Sequence, residues 1–267
     1  MTTTPKTVTS ADGTPIAVER TGGGPPVILI GGAFNDRSTV AGLAAALAPG
    51  VTAITYDRRG RGDSGPGDGD GFAVEREIED LTAVIAYAGG SARLFGHSSG
   101  AILAIEAASR GLAVDRLAVY EPPYVISEDR PRPAADLFDR VRTLVEDSER
   151  DEAAALFLTE GAATPPEMVA AMRGDEIWGW FAGLAHTLPY DLAVCGPGCA
   201  LPAERLATLT VPTLALGGGE SPGWLREGAH AVAATVPGAR YVTIDGEDHG
   251  VLNHPEALRA VLTEFLT

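Results

Sequence analysis

Cysteine is scarce in this chain of 267 residues: there are two, Cys195 and Cys199, separated by Gly196-Pro197-Gly198. Two thiols cannot staple a protein of this size, and their spacing neither matches a zinc site nor recruits nearby histidines. They read as loop thiols, with a local disulfide left open. Basic residues are also few, Lys+Arg 20 against Asp+Glu 36, for a formal charge of -16 and a pI near 4.6. Without a basic run, electrostatic capture of nucleic acid or of an anionic membrane is disfavoured. No apolar run approaches the roughly 20 residues of a membrane span, and Met1-Thr2-Thr3-Thr4-Pro5-Lys6 is followed by no signal-like stretch. The expectation is a cytoplasmic protein. What is abundant is core-forming material, 45% hydrophobic residues with 33 glycines, enough for one substantial core or one domain with an insertion.

The apolar residues are arranged as strands alternating with helices. A hairpin opens the chain, Lys6 to Thr9 and Pro15 to Arg20, joined by Asp12-Gly13. Val27-Ile28-Leu29-Ile30 is a continuous apolar run of the kind buried on both faces of a parallel sheet. Further strands are expected at Val51 to Tyr56, Ser91 to Phe95, Arg116 to Tyr120, Val211 to Leu216 and Arg240 to Ile244. Helices are expected at about Ser38 to Leu47, Phe72 to Ala88, Ala101 to Ala108, Pro222 to Val236 and Pro255 to Phe265. The pattern predicts a largely parallel α/β sheet covered on both faces. Between about Tyr124 and Leu206 the alternation stops, and helical segments near Ala134 to Glu146, Asp151 to Leu158, Pro166 to Met172 and Asp175 to Ala185 read as an inserted cap. The expected division is therefore a core of residues 1–123 and 207–267 and a cap of residues 124–206.

Gly96-His97-Ser98-Ser99-Gly100 falls between an expected strand and an expected helix and fits Gly-x-Ser-x-Gly. A serine in such a sharp turn projects its hydroxyl into a cleft, and side chains at the flanking glycines would collide with neighbouring backbone. Ser98 is the candidate nucleophile. It needs a base, and of five histidines His249 has the right placement, in Asp245-Gly246-Glu247-Asp248-His249-Gly250, just past the last expected strand. His97 is expected to point away from the serine's cleft. A third member must hold the imidazole's tautomer and stabilise its positive charge. Two carboxylates compete at the same sheet edge, Glu121 after Tyr120 and Glu220 after the strand that ends at Leu216.

Taken together, Gly96 to Gly100, the segment Asp57-Arg58-Arg59-Gly60-Arg61-Gly62-Asp63-Ser64 and His249 with Pro255-Glu256 beyond it resemble the α/β-hydrolase superfamily over nearly the whole chain. That resemblance implies an α/β-hydrolase fold, with a mostly parallel eight-stranded sheet flanked by helices and an inserted helical cap. The Asp57 to Ser64 segment is expected to shape a loop, its charges paired locally. In the commoner pattern of the family the acid follows the strand equivalent to Val211 to Leu216, in a Gly-x-x-Asp-Pro-like segment, where this chain has Ser221. Some members, haloalkane dehalogenases and fungal zearalenone lactonases among them, place a glutamate after the strand following the nucleophile helix instead, and Tyr120-Glu121-Pro122-Pro123 is similar to that arrangement. Glu121 is thus the favoured acid and Glu220 the alternative.

An acyl-transfer site also needs donors for the oxyanion, here the backbone amides of Ser99 and of Ala33 in Gly31-Gly32-Ala33-Phe34, with Phe34 as the alternative second donor. Phe34, Trp178, Phe181 and His186 are candidate substrate contacts, although Trp178, Trp180, Phe181 and Tyr190 serve equally well to bury the cap. The reading is a serine hydrolase of a carboxylic ester or lactone of a fairly apolar small molecule, with no metal, cofactor, nucleic-acid or membrane partner, as a monomer or homodimer. A thioesterase or carbon-carbon bond hydrolase would use the same machinery, and a non-hydrolytic binding protein of this fold is the rival of another class.

Overall fold

The computed structural model describes residues 5–66, 72–128 and 130–267, so the N-terminal tetrapeptide lies outside it. Eight strands form one sheet: β1 (Lys6–Thr9), β2 (Pro15–Gly22), β3 (Pro26–Ile30), β4 (Thr52–Tyr56), β5 (Ala92–His97), β6 (Val114–Tyr120), β7 (Thr213–Gly218) and β8 (Arg240–Ile244). Their order is β1-β2-β4-β3-β5-β6-β7-β8. β2 runs antiparallel to both β1 and β4, and every other pairing is parallel.

The continuous apolar runs have a simple cause: successive side chains leave opposite faces of a strand, and both faces are covered. Val27 and Leu29 of β3 join one core cluster with α1 (Ala41–Leu47) and α11 (Glu256–Leu266), whereas Ile28 and Ile30 join another with α2 (Val74–Ala88), α3 (Ser99–Ser109) and α10 (Gly223–Thr235). Each such side chain contributes about 2 kcal/mol by leaving water. All ten residues from Ser99 to Ala108 are buried, so α3 is a core helix without a solvent face. The helix expected from Ser38 begins later, at Ala41, because the Asp36 carboxylate takes the Ser38 N–H and hydroxyl in a turn.

Between β6 and β7 lie α4 (Leu137–Glu146), α5 (Arg150–Leu156), α6 (Pro166–Arg173), α7 (Ile177–Leu184), α8 (Leu188–Cys195) and α9 (Ala203–Leu206). α8 and α9 have no counterpart in the sequence reading. These inserted helices have a hydrophobic cluster of their own, built from Leu137, Val141, Ala153, Val169, Trp178 and Leu188, and Phe34 from the loop after β3 is buried within it. Cys195 and Cys199 are free thiols. Among the described residues no helix is long and apolar enough to cross a membrane.

The segment after β4 is stitched by charge. Asp57 accepts the Arg37 and Asp63 N–H groups at 2.7 and 2.9 Å and pairs with the Arg37 guanidinium. Arg59 grips Asp80 of α2 bidentately, Nε and Nη2 at 2.8 and 2.7 Å, and reaches Asp12 of the opening turn at 3.0 Å. Arg59 and Asp80 are each 1% exposed, so removing the carboxylate strands a buried cation. Asp80→Asn is expected to lower unfolding free energy by about 3 kcal/mol in urea titration; a loss under about 1 kcal/mol would show that Asp12 alone satisfies Arg59.

Candidate active site

β5 delivers Ser98 into a turn that only a crowded backbone holds. Ser98 adopts φ 57°, ψ −126°, sparsely populated for a residue with a side chain, and its N–H donates to the Tyr120 carbonyl at 2.9 Å. A Cβ at Gly96 would sit 2.4 Å from the Gly100 carbonyl oxygen, and one at Gly100 would sit 2.5 Å from the carbonyl oxygens of Ile30 and Gly31. Both glycines are therefore required by close approach. Six described non-glycine residues have positive φ, and three of them, Phe34, Ser98 and Glu121, are candidate site residues. Strain gathers where function is expected, at the carboxyl edge of the sheet.

Glu121 caps β6 and is fully buried. Its Oε1 accepts the Gly218 N–H at 2.7 Å, and its Oε2 accepts the His249 Nδ1–H at 2.7 Å. A proton fixed on Nδ1 leaves the lone pair on Nε2, the tautomer that a general base needs. His249 is partly open to solvent, 37% at its side chain, while its carboxylate partner is dry. The competing Glu220 is exposed and uses its N–H, bonded to the Glu247 carbonyl at 2.9 Å. The structure thus brings Glu121, and not Glu220, against His249. Ser221, where the commoner pattern has an acid, is buried, and its hydroxyl has no partner among the described residues.

Two neighbouring side chains hold the His249 loop by its backbone. Tyr120 donates its hydroxyl to the Asp248 carbonyl at 2.7 Å, and His97 donates Nε2–H to the His249 carbonyl at 2.8 Å. His97 stacks on Tyr120 and lies 4.7 Å, centroid to centroid, from the His249 ring. Burial, reinforced by His249, lowers its pKa from 6.5 to about 3, so it stays a neutral donor.

The loop after β3 presses against the Ser98 turn: a Cβ at Gly32 would come within 2.8 Å of the Ser98 Cβ. A turn closed by Asn35, whose Oδ1 accepts the Gly32 N–H at 3.0 Å, shapes this loop. The N–H groups of Ala33 and Ser99 have no acceptor among the described residues. Two such donors near Ser98 have the chemistry to stabilise an oxygen that becomes negative.

A model of the alpha/beta hydrolase family matches residues 22–261. The chain belongs to the alpha/beta hydrolase family. It is an enzyme of that family. A solved alpha/beta hydrolase from Sphaerobacter thermophilus DSM 20745 is 50% identical, with TM-score 0.91 over 98% of this chain and 100% of that one. An esterase from Exiguobacterium antarcticum, 22% identical (TM-score 0.74, 98% of each chain), and an enol-lactonase from Burkholderia xenovorans LB400, 19% identical (TM-score 0.72, 98% and 99%), share the fold. No curated protein matches.

The aromatic candidates divide in this alpha/beta hydrolase. Phe34 packs edge-on against Phe181 at 4.7 Å and Phe157 at 5.5 Å, and its carbonyl accepts Trp180 Nε1–H at 2.7 Å. Trp178 is buried in the cluster of the inserted helices and donates to Asp151. His186 has ring nitrogens on the carbonyls of Gly183 and Gly60, 3.1 and 2.8 Å away, which makes it a tie between the inserted helices and the loop after β4.

The His97 shift sets an acid limit. Because the folded pKa lies below the unfolded 6.5, the unfolded chain takes up this proton first. Its contribution is whole above pH 6.5 and is lost as pH falls toward 3. His97→Gln should flatten the decline of unfolding free energy between pH 6 and 4 by about 1.4 kcal/mol per pH unit, measured by urea titration at several pH values; parallel declines in parent and variant would contradict it.

Proposed function

We propose that the chain is a serine hydrolase that cleaves a carboxylic ester or lactone of a fairly apolar small molecule through an acyl-enzyme on Ser98. The observation that carries this reading is the fully buried Glu121 carboxylate holding His249 Nδ1 at 2.7 Å while Ser98, its N–H on the Tyr120 carbonyl, occupies the strained turn after the neighbouring strand. His249 Nε2 takes the Ser98 proton as Oγ attacks the carbonyl carbon. The oxygen that becomes negative is met by the N–H groups of Ala33 and Ser99, the latter at the N-terminus of α3, whose dipole adds favourable potential. Collapse expels the alcohol, protonated by the imidazolium, and a water activated by the same histidine then releases the acid. Glu121 stays ionised and stabilises the imidazolium in both halves.

The substrate class follows from the surroundings. Phe34 of the loop that carries Ala33 and Phe181 packed on it suit an apolar group, and among the described residues no Lys or Arg forms a hydrogen bond or ion pair with Ser98 or His249. An esterase and an enol-lactonase share this fold, which fits both outcomes of one acyl-transfer mechanism.

Covalent labelling by a fluorophosphonate is expected at Ser98 and absent in Ser98→Ala; folded protein without the adduct would sink the reading. On an activated ester, Glu121→Gln should lose about 10⁴-fold in kcat, as expected when the acid can no longer fix the tautomer, and Glu220→Gln less than about threefold. The reverse ranking refutes the assignment.

A further inference from the structure

Buried charge lies directly beneath the two backbone donors, and part of it comes from the inserted helices. Arg58 and Arg61 follow β4, Glu77 belongs to α2 and Asp191 to α8, and the side chains of all four are 2% exposed or less. Arg58 donates Nε and Nη2 to the two oxygens of Glu77 at 2.8 Å each and Nη1 to Asp191 Oδ1 at 2.7 Å. Arg61 Nη2 donates to Asp191 Oδ2 at 2.7 Å. Two cations and two anions cancel. Burial pushes the Asp191 carboxyl up, but Arg61, Arg58 and the Ser99 hydroxyl outweigh it and hold the group below its ordinary value.

This cluster reaches the two donors by separate routes. Ser99 Oγ donates to Asp191 Oδ1 at 2.7 Å, which anchors the residue whose N–H follows the nucleophile. Arg61 Nη1 donates to the carbonyls of Gly32 and Asn35 at 2.5 and 2.9 Å, and Arg58 Nη1 to that of Gly31 at 3.3 Å. The Gly32 carbonyl and the Ala33 N–H share one trans peptide plane and point in opposite directions. A cation that holds the carbonyl from one side therefore aims the N–H to the other, and polarises it into a stronger donor.

We infer that Asp191 is a positioning residue that sets the oxyanion donors from the inserted helices, through the Ser99 hydroxyl on one side and Arg61 on the other. The inference rests on the serine-hydrolase reading above. A carboxylate that merely fastened the insertion would change stability and substrate affinity together. One that aims the donors acts only when the oxyanion forms, so its loss appears in kcat and not in KM. The hydroxyl of Ser99 carries the same effect without any charge, which separates aiming from ion pairing.

The test is steady-state hydrolysis of p-nitrophenyl butyrate by full-length Asp191→Asn, Ser99→Ala and the control Asp80→Asn, with binding of phenylboronic acid as a mimic of the tetrahedral state. Asp191→Asn and Ser99→Ala should each lower kcat by about tenfold or more and weaken the boronate similarly, with KM within about twofold and the pH midpoint of the rate unchanged. Asp80→Asn breaks a pair equally buried that touches neither Ser99 nor the loop after β3. It should lower the thermal midpoint and leave kcat within about twofold. Folded Ser99→Ala with parental kcat and boronate affinity overturns the inference, as does a rise in KM alone. If Asp191→Asn does not fold, Ser99→Ala decides, since it deletes one hydroxyl. Activity that survives Ser98→Ala defeats the serine-hydrolase reading itself; activity that needs Ser98 but is indifferent to Ser99→Ala defeats only the positioning role.

Discussion

One dry carboxylate ties the carboxyl edge of this sheet together. Glu121 spends one oxygen on the backbone of β7 at Gly218 and the other on the His249 ring, so the ends of β6 and β7 and the loop after β8 meet at a single side chain. A carboxylate with no water around it must have such donors, because an unpartnered buried charge is prohibitively costly. Its partners are in turn held from behind: Tyr120 and His97, the residues that end β6 and β5, grip the carbonyls of Asp248 and His249. The orientation of one imidazole is thus fixed at its ring and at its own backbone. That is the preorganisation that general-base chemistry requires.

Most of this edge can be read from the chain because its residues fall at strand ends. The strands β5 and β6 announce themselves by their buried apolar ends, with Ser98 and Glu121 just past them, and His249 lies in the loop after the edge strand β8. The choice between Glu121 and Glu220 turned on chain position in the sequence; in the structure, exposure and hydrogen bonding separate the two. Asp191 was illegible for the opposite reason. Its partners Arg58 and Arg61 are 133 and 130 residues away in sequence, and α8 is masked by Pro189, which reads as an interruption although a proline is well tolerated in a first helical turn. His186 shows the limit of reading function from residue type, since its ring nitrogens lie on the backbone carbonyls of Gly183 in α7 and Gly60 in the loop after β4.

The positions of Arg58 and Arg61 also explain why the segment after β4 carries so much charge. Arg59, between them, points the other way, to Asp80 and Asp12, and fastens the opening hairpin to α2. Three tasks are therefore distributed over Arg58, Arg59 and Arg61: clamping α2, securing the N-terminal strands, and holding the loop that faces Ser98. The left-handed Gly60 supplies the change of direction that lets Arg59 and Arg61 diverge.

That arrangement limits how freely the inserted helices can be exchanged. In a fold where the insertion contributed nothing but apolar surface, a segment from a relative could be grafted between β6 and β7 with only its packing to adjust. Here the graft must also bring an anion to the place of Asp191, or leave Arg58 with Glu77 alone and the buried Arg61 with no carboxylate partner among the described residues. Any exchange of the insertion must therefore treat residues 58, 61 and 191 as one unit, however far apart they stand in the chain.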